Sequence, residues 1–181
     1  MLFRGVGGKT QLPTAPLREA LSEAGFGNVA TYIATGNVVL SSAMTSNEVK
    51  AAVAAIAEER FGFTKRVFVM TRQEWAQLIA WNPFPEAVKE PTRLHAFALE
   101  AEPTQTAVAA LTARATGSER LAVVGRVLYL HTPDGFGISK LPALVDETLG
   151  VVSTARNWNT VLKLEELATQ ASHQVGESSE G

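Results

Sequence analysis

The sequence predicts an α+β chain in which a β-α-β-β-α-β unit occurs twice, each copy followed by a further helix. Three observations carry this. Two apolar strand pairs each reverse at a glycine, Gly36 and Gly125. Amphipathic segments with cap residues and stop glycines flank both pairs. The string Thr71-Arg72-Gln73-Glu74-Trp75 resembles Thr154-Ala155-Arg156-Asn157-Trp158 later in the chain. The glycines lie 89 positions apart and the strings 83, so element order supports a duplication better than residue identity does. Two halves alike by chance is the alternative.

In the first copy, Leu2 to Arg4 is the candidate first strand. Thr14 can cap a helix whose Leu17, Ala20, Leu21 and Ala24 recur at helical spacing, and Gly25 ends it. Val29 to Thr35 alternates, Gly36-Asn37 signals a two-residue hairpin turn, and Val38-Val39-Leu40 resumes the strand. Thr45 and Glu48 have the spacing of a capping box before a helix carrying Val49, Val53 and Ile56, stopped by Gly62. Lys65 to Met70 reads as the last strand, and a helix from about Gln73 to Ala80 precedes the loop Asn82-Pro83-Phe84-Pro85.

The second copy begins with a strand from Leu94 to Leu99 and a helix from Thr104 carrying Val108, Leu111 and Ala115, closed by Gly117. Leu121–Val124 and Val127–Leu130 flank Gly125-Arg126, with glycine first as a type II′ turn prefers. A helix capped by Ser139 turns Leu141, Leu144 and Val145 inward, a short strand lies near Val151 to Thr154, and a trailing helix starts near Asn157. The order in both copies is that of ferredoxin-like domains. The predicted division is 1–82 and 83–171, with a polar, disordered tail over 172–181.

The 181 residues are 46% hydrophobic and 19% charged, the balance of a chain that folds. There is no cysteine, which excludes disulfides, thiolate metal sites and cysteine nucleophiles, and fits a cytoplasmic location. No apolar run approaches the roughly 20 residues of a membrane span, and Met1-Leu2-Phe3-Arg4-Gly5 has no signal-peptide layout. A net charge of −2 argues against a surface built to track nucleic acid, while leaving room for a local basic pocket.

Three strings stand out together: Arg4-Gly5-Val6-Gly7-Gly8-Lys9, Thr31-Tyr32-Ile33-Ala34-Thr35-Gly36-Asn37-Val38-Val39, and Thr154-Ala155-Arg156-Asn157-Trp158-Asn159-Thr160-Val161-Leu162-Lys163-Leu164. With Asn82-Pro83-Phe84, Tyr129-Leu130-His131 and Gly137-Ile138-Ser139-Lys140-Leu141 they resemble the family called domain of unknown function 1697, over about residues 2 to 168. The resemblance implies two ferredoxin-like parts and brings no activity, substrate or cofactor. Members of that family carry several more residues before the first strand and a glycine loop two residues longer. The first strand here is short for a central one, so the natural start is expected upstream of Met1.

Gly5-Val6-Gly7-Gly8-Lys9-Thr10 sits between a strand and a helix, where backbone N–H groups can turn toward an anion. A Walker A loop would need glycine at position 3, where Phe3 stands, so nucleotide hydrolysis of that type is rejected. In position the loop is looser kin to the phosphate cradle of acylphosphatases, without their arginine pattern. A turn that only reverses the chain is the competing reading.

Lys140 and Arg156 stand at helix starts, where a cation opposes the helix dipole unless an anion sits between it and the free N–H groups. Otherwise they pair with carboxylates in solvent. Trp158 reads as core with Val161 and Leu162, leaving Asn157, Asn159, Thr160 and Lys163 on a polar side. Tyr129 and His131 share a strand face, but His131 has no nucleophile nearby in sequence, and neither it nor His95 or His173 has metal-ligand spacing to a partner.

These readings give ligand-binding candidates Arg4, Lys9, Lys140, Arg156, Asn157 and Lys163, with no catalytic residue, no metal and no cofactor assigned. The leading function is binding, or turnover, of a small anionic or phosphorylated ligand in a cleft between the halves. A nucleic-acid module ranks lower, because Asn37-Val38-Val39-Leu40 offers no ring for a base to stack on. A protein–protein scaffold is the third reading.

Overall fold

The computed structural model describes residues 1–6 and 12–177. Its elements follow the order β1 (Leu2–Phe3), α1 (Thr14–Glu23), β2 (Gly27–Tyr32), β3 (Asn37–Ser41), α2 (Ser46–Phe61), β4 (Val67–Phe68) and α3 (Arg72–Ala80), then β5 (Leu94–Leu99), α4 (Gln105–Thr112), β6 (Arg120–Val124), β7 (Val127–His131), α5 (Leu141–Leu149), β8 (Ser153–Asn157) and α6 (Trp158–Glu177). A 3₁₀ turn over Pro85–Lys89 lies between α3 and β5. Two four-stranded antiparallel sheets result, ordered β2-β3-β1-β4 and β6-β7-β5-β8. The described residues of Met1–Ala76 and Lys163–Gly181 form one compact unit, and Gln77–Leu162 form another. The chain returns to the first unit within α6, from Lys163 onward.

In the first unit, β1 is central and only two residues long, yet Leu2 and Phe3 are both buried. Its ladder is short, so packing holds it. Phe3 meets Phe63 edge to face at 5.4 Å, among Leu17, Leu21, Val38, Val53 and Val67. Helix α2 opens on the expected capping box, in which the Thr45 N–H donates to Glu48 at 2.8 Å and the Glu48 N–H to Thr45 Oγ1 at 3.4 Å. Helix α1 departs from expectation: Thr14 is its first helical residue, and Pro13 at the cap position makes no side-chain bond.

The first hairpin also differs from its sequence reading. Tyr32 pairs with Asn37, so the turn is the four residues Ile33 to Gly36 and Asn37 already belongs to β3. Ile33 leaves the strand at φ 47°, and buried Asn37 closes the loop by donating through Nδ2 to the Tyr32 carbonyl and to Thr35 Oγ1, each at 3.0 Å. A side-chain amide able to bond the loop favours this four-residue turn, which ends one residue before the expected one and begins three residues before it.

In the second unit, β5 is buried along its whole length. Phe97, Leu99, Leu111, Leu128, Leu130, Leu141, Val145 and Leu149 form the core on one face. Val124 pairs with Val127 across the expected two-residue turn, with Gly125 at φ 56°. Thr104 caps α4, accepting the Ala107 N–H at 3.2 Å, but the helix ends at Thr112, well before Gly117. Trp158 is only 1% exposed and Val161 is buried, whereas Leu162, expected inside, is 43% exposed. Helix α6 continues to Glu177, past Ser172 where a tail was expected, and residues 178–181 lie outside the described residues. No described helix is long and apolar enough to cross a membrane.

Candidate functional site

The first unit carries a cavity of about 130 Å³. Most of its wall comes from three places: Val39, Leu40 and Ser41 of β3; Val69, Met70, Thr71, Arg72 and Trp75 around the start of α3; and Leu164, Ala168, Ala171 and Ser172 of α6, with Met1, and Val49 of α2, completing it. Trp75 and Leu164 are buried and most of the lining is carbon, with Ser41, Thr71, Arg72 and Ser172 as its polar members.

Two local devices place these walls. Asn28 adopts the left-handed conformation at φ 50°, where the β2–β3 register shifts. From this bulge its Nδ2 donates to Ser41 Oγ of β3 and to the Ala171 carbonyl of α6, each at 3.2 Å. Helix α3 opens on a reciprocal cap: the Thr71 N–H donates to Glu74 Oε2 at 2.7 Å, and the Glu74 N–H to Thr71 Oγ1 at 3.1 Å. The T-x-x-E spacing announces that cap in the sequence.

Arg72, the first residue of α3, is exposed at the cavity's edge. Its hydrogen bonding among the described residues is one long contact, from Nη2 to Thr169 Oγ1 at 3.5 Å, and no acidic residue lines the cavity. A guanidinium has five donors, so one long contact leaves most of this fork without a hydrogen bond among the described residues. The sequence reading passed over Arg72, although the criterion that selected Lys140 and Arg156, a cation at a helix start, applies to it equally.

The model of the family described as protein of unknown function, DUF1697, matches residues 1–129. The chain belongs to this family. A solved structure, that of the conserved bacterial protein SP0830 from Streptococcus pneumoniae, is similar with a TM-score of 0.70 at 17% identity, covering 92% of this chain and 96% of that one. At that identity the likeness concerns the fold. No curated protein matches.

In this DUF1697 member the residues chosen from sequence fall on both units. Lys9 and the Gly7-Gly8 loop around it lie outside the described residues. Arg4 follows β1, its N–H donating to the Arg66 carbonyl at 2.9 Å. The neighbouring Gly5, at φ 70°, lies under Lys65, whose Nζ would be 3.2 Å from a β-carbon there. Lys163 pairs with Glu166 at 2.8 Å along α6.

In the second unit Lys140 is exposed at the cap position of α5, and the Ser139 hydroxyl accepts the Leu141 N–H at 3.2 Å. Arg156 lies in β8 and donates through Nη1 to the Ala155 carbonyl at 2.7 Å and to Thr154 Oγ1 at 3.0 Å; burial lowers its pKa to about 10. Asn157 is a helix cap, its Oδ1 accepting the Thr160 N–H at 3.0 Å.

His131 has the partners that local sequence hid. Arg120 Nη2 approaches its Nδ1 at 3.1 Å, the same guanidinium pairs with Glu86, and it stands 5.0 Å above the Phe84 ring. Burial first, then Arg120, lowers the pKa of His131. Glu86 is lowered too, by a backbone hydrogen bond and then by Arg120. This cluster is internally compensated. His95 is 8% exposed, stacks on Phe136 at 3.6 Å, and has a buried Nδ1 with no hydrogen-bond partner; burial lowers its pKa to about 4. Among the described residues no cluster of His, Asp and Glu could hold a metal ion.

Proposed function

We propose that this protein binds a small anionic molecule at the cavity of the first unit, with Arg72 as the anchoring cation. The observation that carries the reading is an arginine with no carboxylate partner among the described residues, at the edge of a mainly apolar cavity that no described acidic residue lines. Guanidinium is weakly hydrated and presents a planar fork of donors, which suits it to hold an anion beside apolar surface.

A thermal-shift panel of carboxylates, nucleotides, sugar phosphates and acyl phosphates tests this, with Arg72→Gln, Arg156→Ala and Lys163→Ala run alongside the unmodified protein. The expected result is a stabilising hit lost in Arg72→Gln and kept in the other two. Flat curves throughout overturn the proposal. A hit kept in Arg72→Gln and lost in Arg156→Ala or Lys163→Ala moves the site to the anchors read from sequence, Arg4, Lys9, Lys140, Arg156, Asn157 and Lys163.

We also read each unit as ferredoxin-like and the pair as a duplication within a cytoplasmic protein. The shared element order and the matching strand orders β2-β3-β1-β4 and β6-β7-β5-β8 support the first two points, and the lack of cysteine fits the third.

A further inference from the structure

We infer that the ligand of the first-unit cavity is a monocarboxylate with a compact apolar body of about six carbons, rather than a phosphorylated metabolite; this rests on the anion reading above. The cavity volume is about 130 Å³, and apolar protein cavities of about 150 Å³ take up benzene. A phenyl ring or a short branched or linear chain therefore matches the space. Leu40, Val69, Trp75, Leu164, Ala168 and Ala171 offer it carbon surface.

The head group follows from what stands at the edge. Among the described residues Arg72 is the one charged side chain lining the cavity, beside the Met1 α-ammonium, which donates to the Val38 carbonyl at 2.9 Å, and the two-pronged face of Arg72 matches a carboxylate through two parallel N–H···O bonds. A phosphate monoester carries a charge near −2 and more acceptor oxygens, and is met elsewhere by several cations or by open backbone N–H groups. At this helix start the Thr71 and Glu74 caps already occupy two of those N–H groups. Apolar walls would also gain nothing from a hydroxylated sugar.

The test is titration of the whole protein, followed at the Trp75 indole N–H by NMR, with propanoate, butanoate, hexanoate, phenylacetate, hexanamide and inorganic phosphate. Affinity should rise about three- to fourfold per methylene up to hexanoate. Hexanamide should bind at least about tenfold more weakly than hexanoate, and Arg72→Gln should erase that difference. Ala168→Leu, which fills the cavity, should abolish the chain-length dependence; if that variant does not fold, Ala171→Val serves.

Arg72-dependent binding of phosphate with no benefit from chain length overturns this inference and leaves the anion reading standing. Equal binding of hexanoate and hexanamide to the unmodified protein overturns the anion reading itself. Absence of any binding overturns both.

Discussion

Gly36 lies so close to Phe3 that a β-carbon at position 36 would come within 2.7 Å of the Phe3 Cβ, while the Phe3 N–H donates to the Gly36 carbonyl at 2.7 Å. The hairpin tip is thereby fastened to a central strand whose own ladder is only two residues long. Gly36 is also at φ 74°, and Val6 Cγ2 would stand 2.9 Å from the added carbon.

Gly36→Ala should therefore destabilise the protein by about 2 to 4 kcal/mol, combining left-handed strain with overpacking. Gly25 is the control: its φ is 88° but nothing lies within 4 Å of an added β-carbon. Gly25→Ala should cost only about 1 kcal/mol. Urea midpoints at constant slope check both, and equal losses would contradict the close-approach argument.

Tyr129 donates its hydroxyl to the Leu78 carbonyl at 2.7 Å, one of the four carbonyls at the end of α3 that have no partner within the helix. Tyr129→Phe leaves that buried acceptor unmet and should cost about 1 to 2 kcal/mol. Burial raises the Tyr129 pKa from 10.0 to about 12. Its contribution is thus complete below pH 10 and lost as pH rises toward 12, so the unmodified protein should lose stability in that window more steeply than Tyr129→Phe.

His95 behaves in the opposite sense. Its pKa falls from 6.5 to about 4 in the folded protein, so between those values the unfolded chain binds the proton more readily. Stability is complete above about pH 6.5 and declines toward pH 4, by up to about 1.4 kcal/mol per unit. His95→Phe keeps a ring against Phe136 and removes the unpartnered Nδ1. It should match the unmodified protein near pH 7 and exceed it at pH 4.5; parallel melting curves across that range would contradict the assignment.

Asn157 caps α6 through the Thr160 N–H at 3.0 Å. Asn157→Ala should cost about 1 kcal/mol, and Asn157→Asp, which caps equally well, should cost little. Thermal denaturation separates the two. A loss in Asn157→Asp as large as in Asn157→Ala would show that the amide nitrogen, and not the capping oxygen, matters.

What was legible in the sequence is what neighbouring residues decide among themselves. The strand and helix order, the Thr45–Glu48 capping box, the Gly62 stop and the Gly125-Arg126 turn all come from short-range spacing and backbone preference, and all stand in the structure. The first hairpin turns over four residues, Ile33 to Gly36, and not over Gly36-Asn37, because the loop bonds of Asn37 compete with the ordinary hairpin signal of that pair.

The site was the less legible part. Arg72 is an ordinary surface arginine until β3, the start of α3 and α6 from Leu164 to Ser172 close a mainly apolar cavity beside it. Val39 and Ala171 on those walls lie 132 positions apart in the chain, and no local pattern reports which segments meet. Nor does sequence spacing reveal that Arg120 and Glu86 flank His131, that Asn28 bridges β3 to α6, or that Gly36 leaves Phe3 no room for a β-carbon. Sequence determined the elements because hydrogen-bonding and hydrophobic periodicity act over a few residues. Tertiary structure alone decided the cavity, the placing of Arg72 at its edge and the buried histidine, because desolvation and close packing depend on which distant segments share a volume.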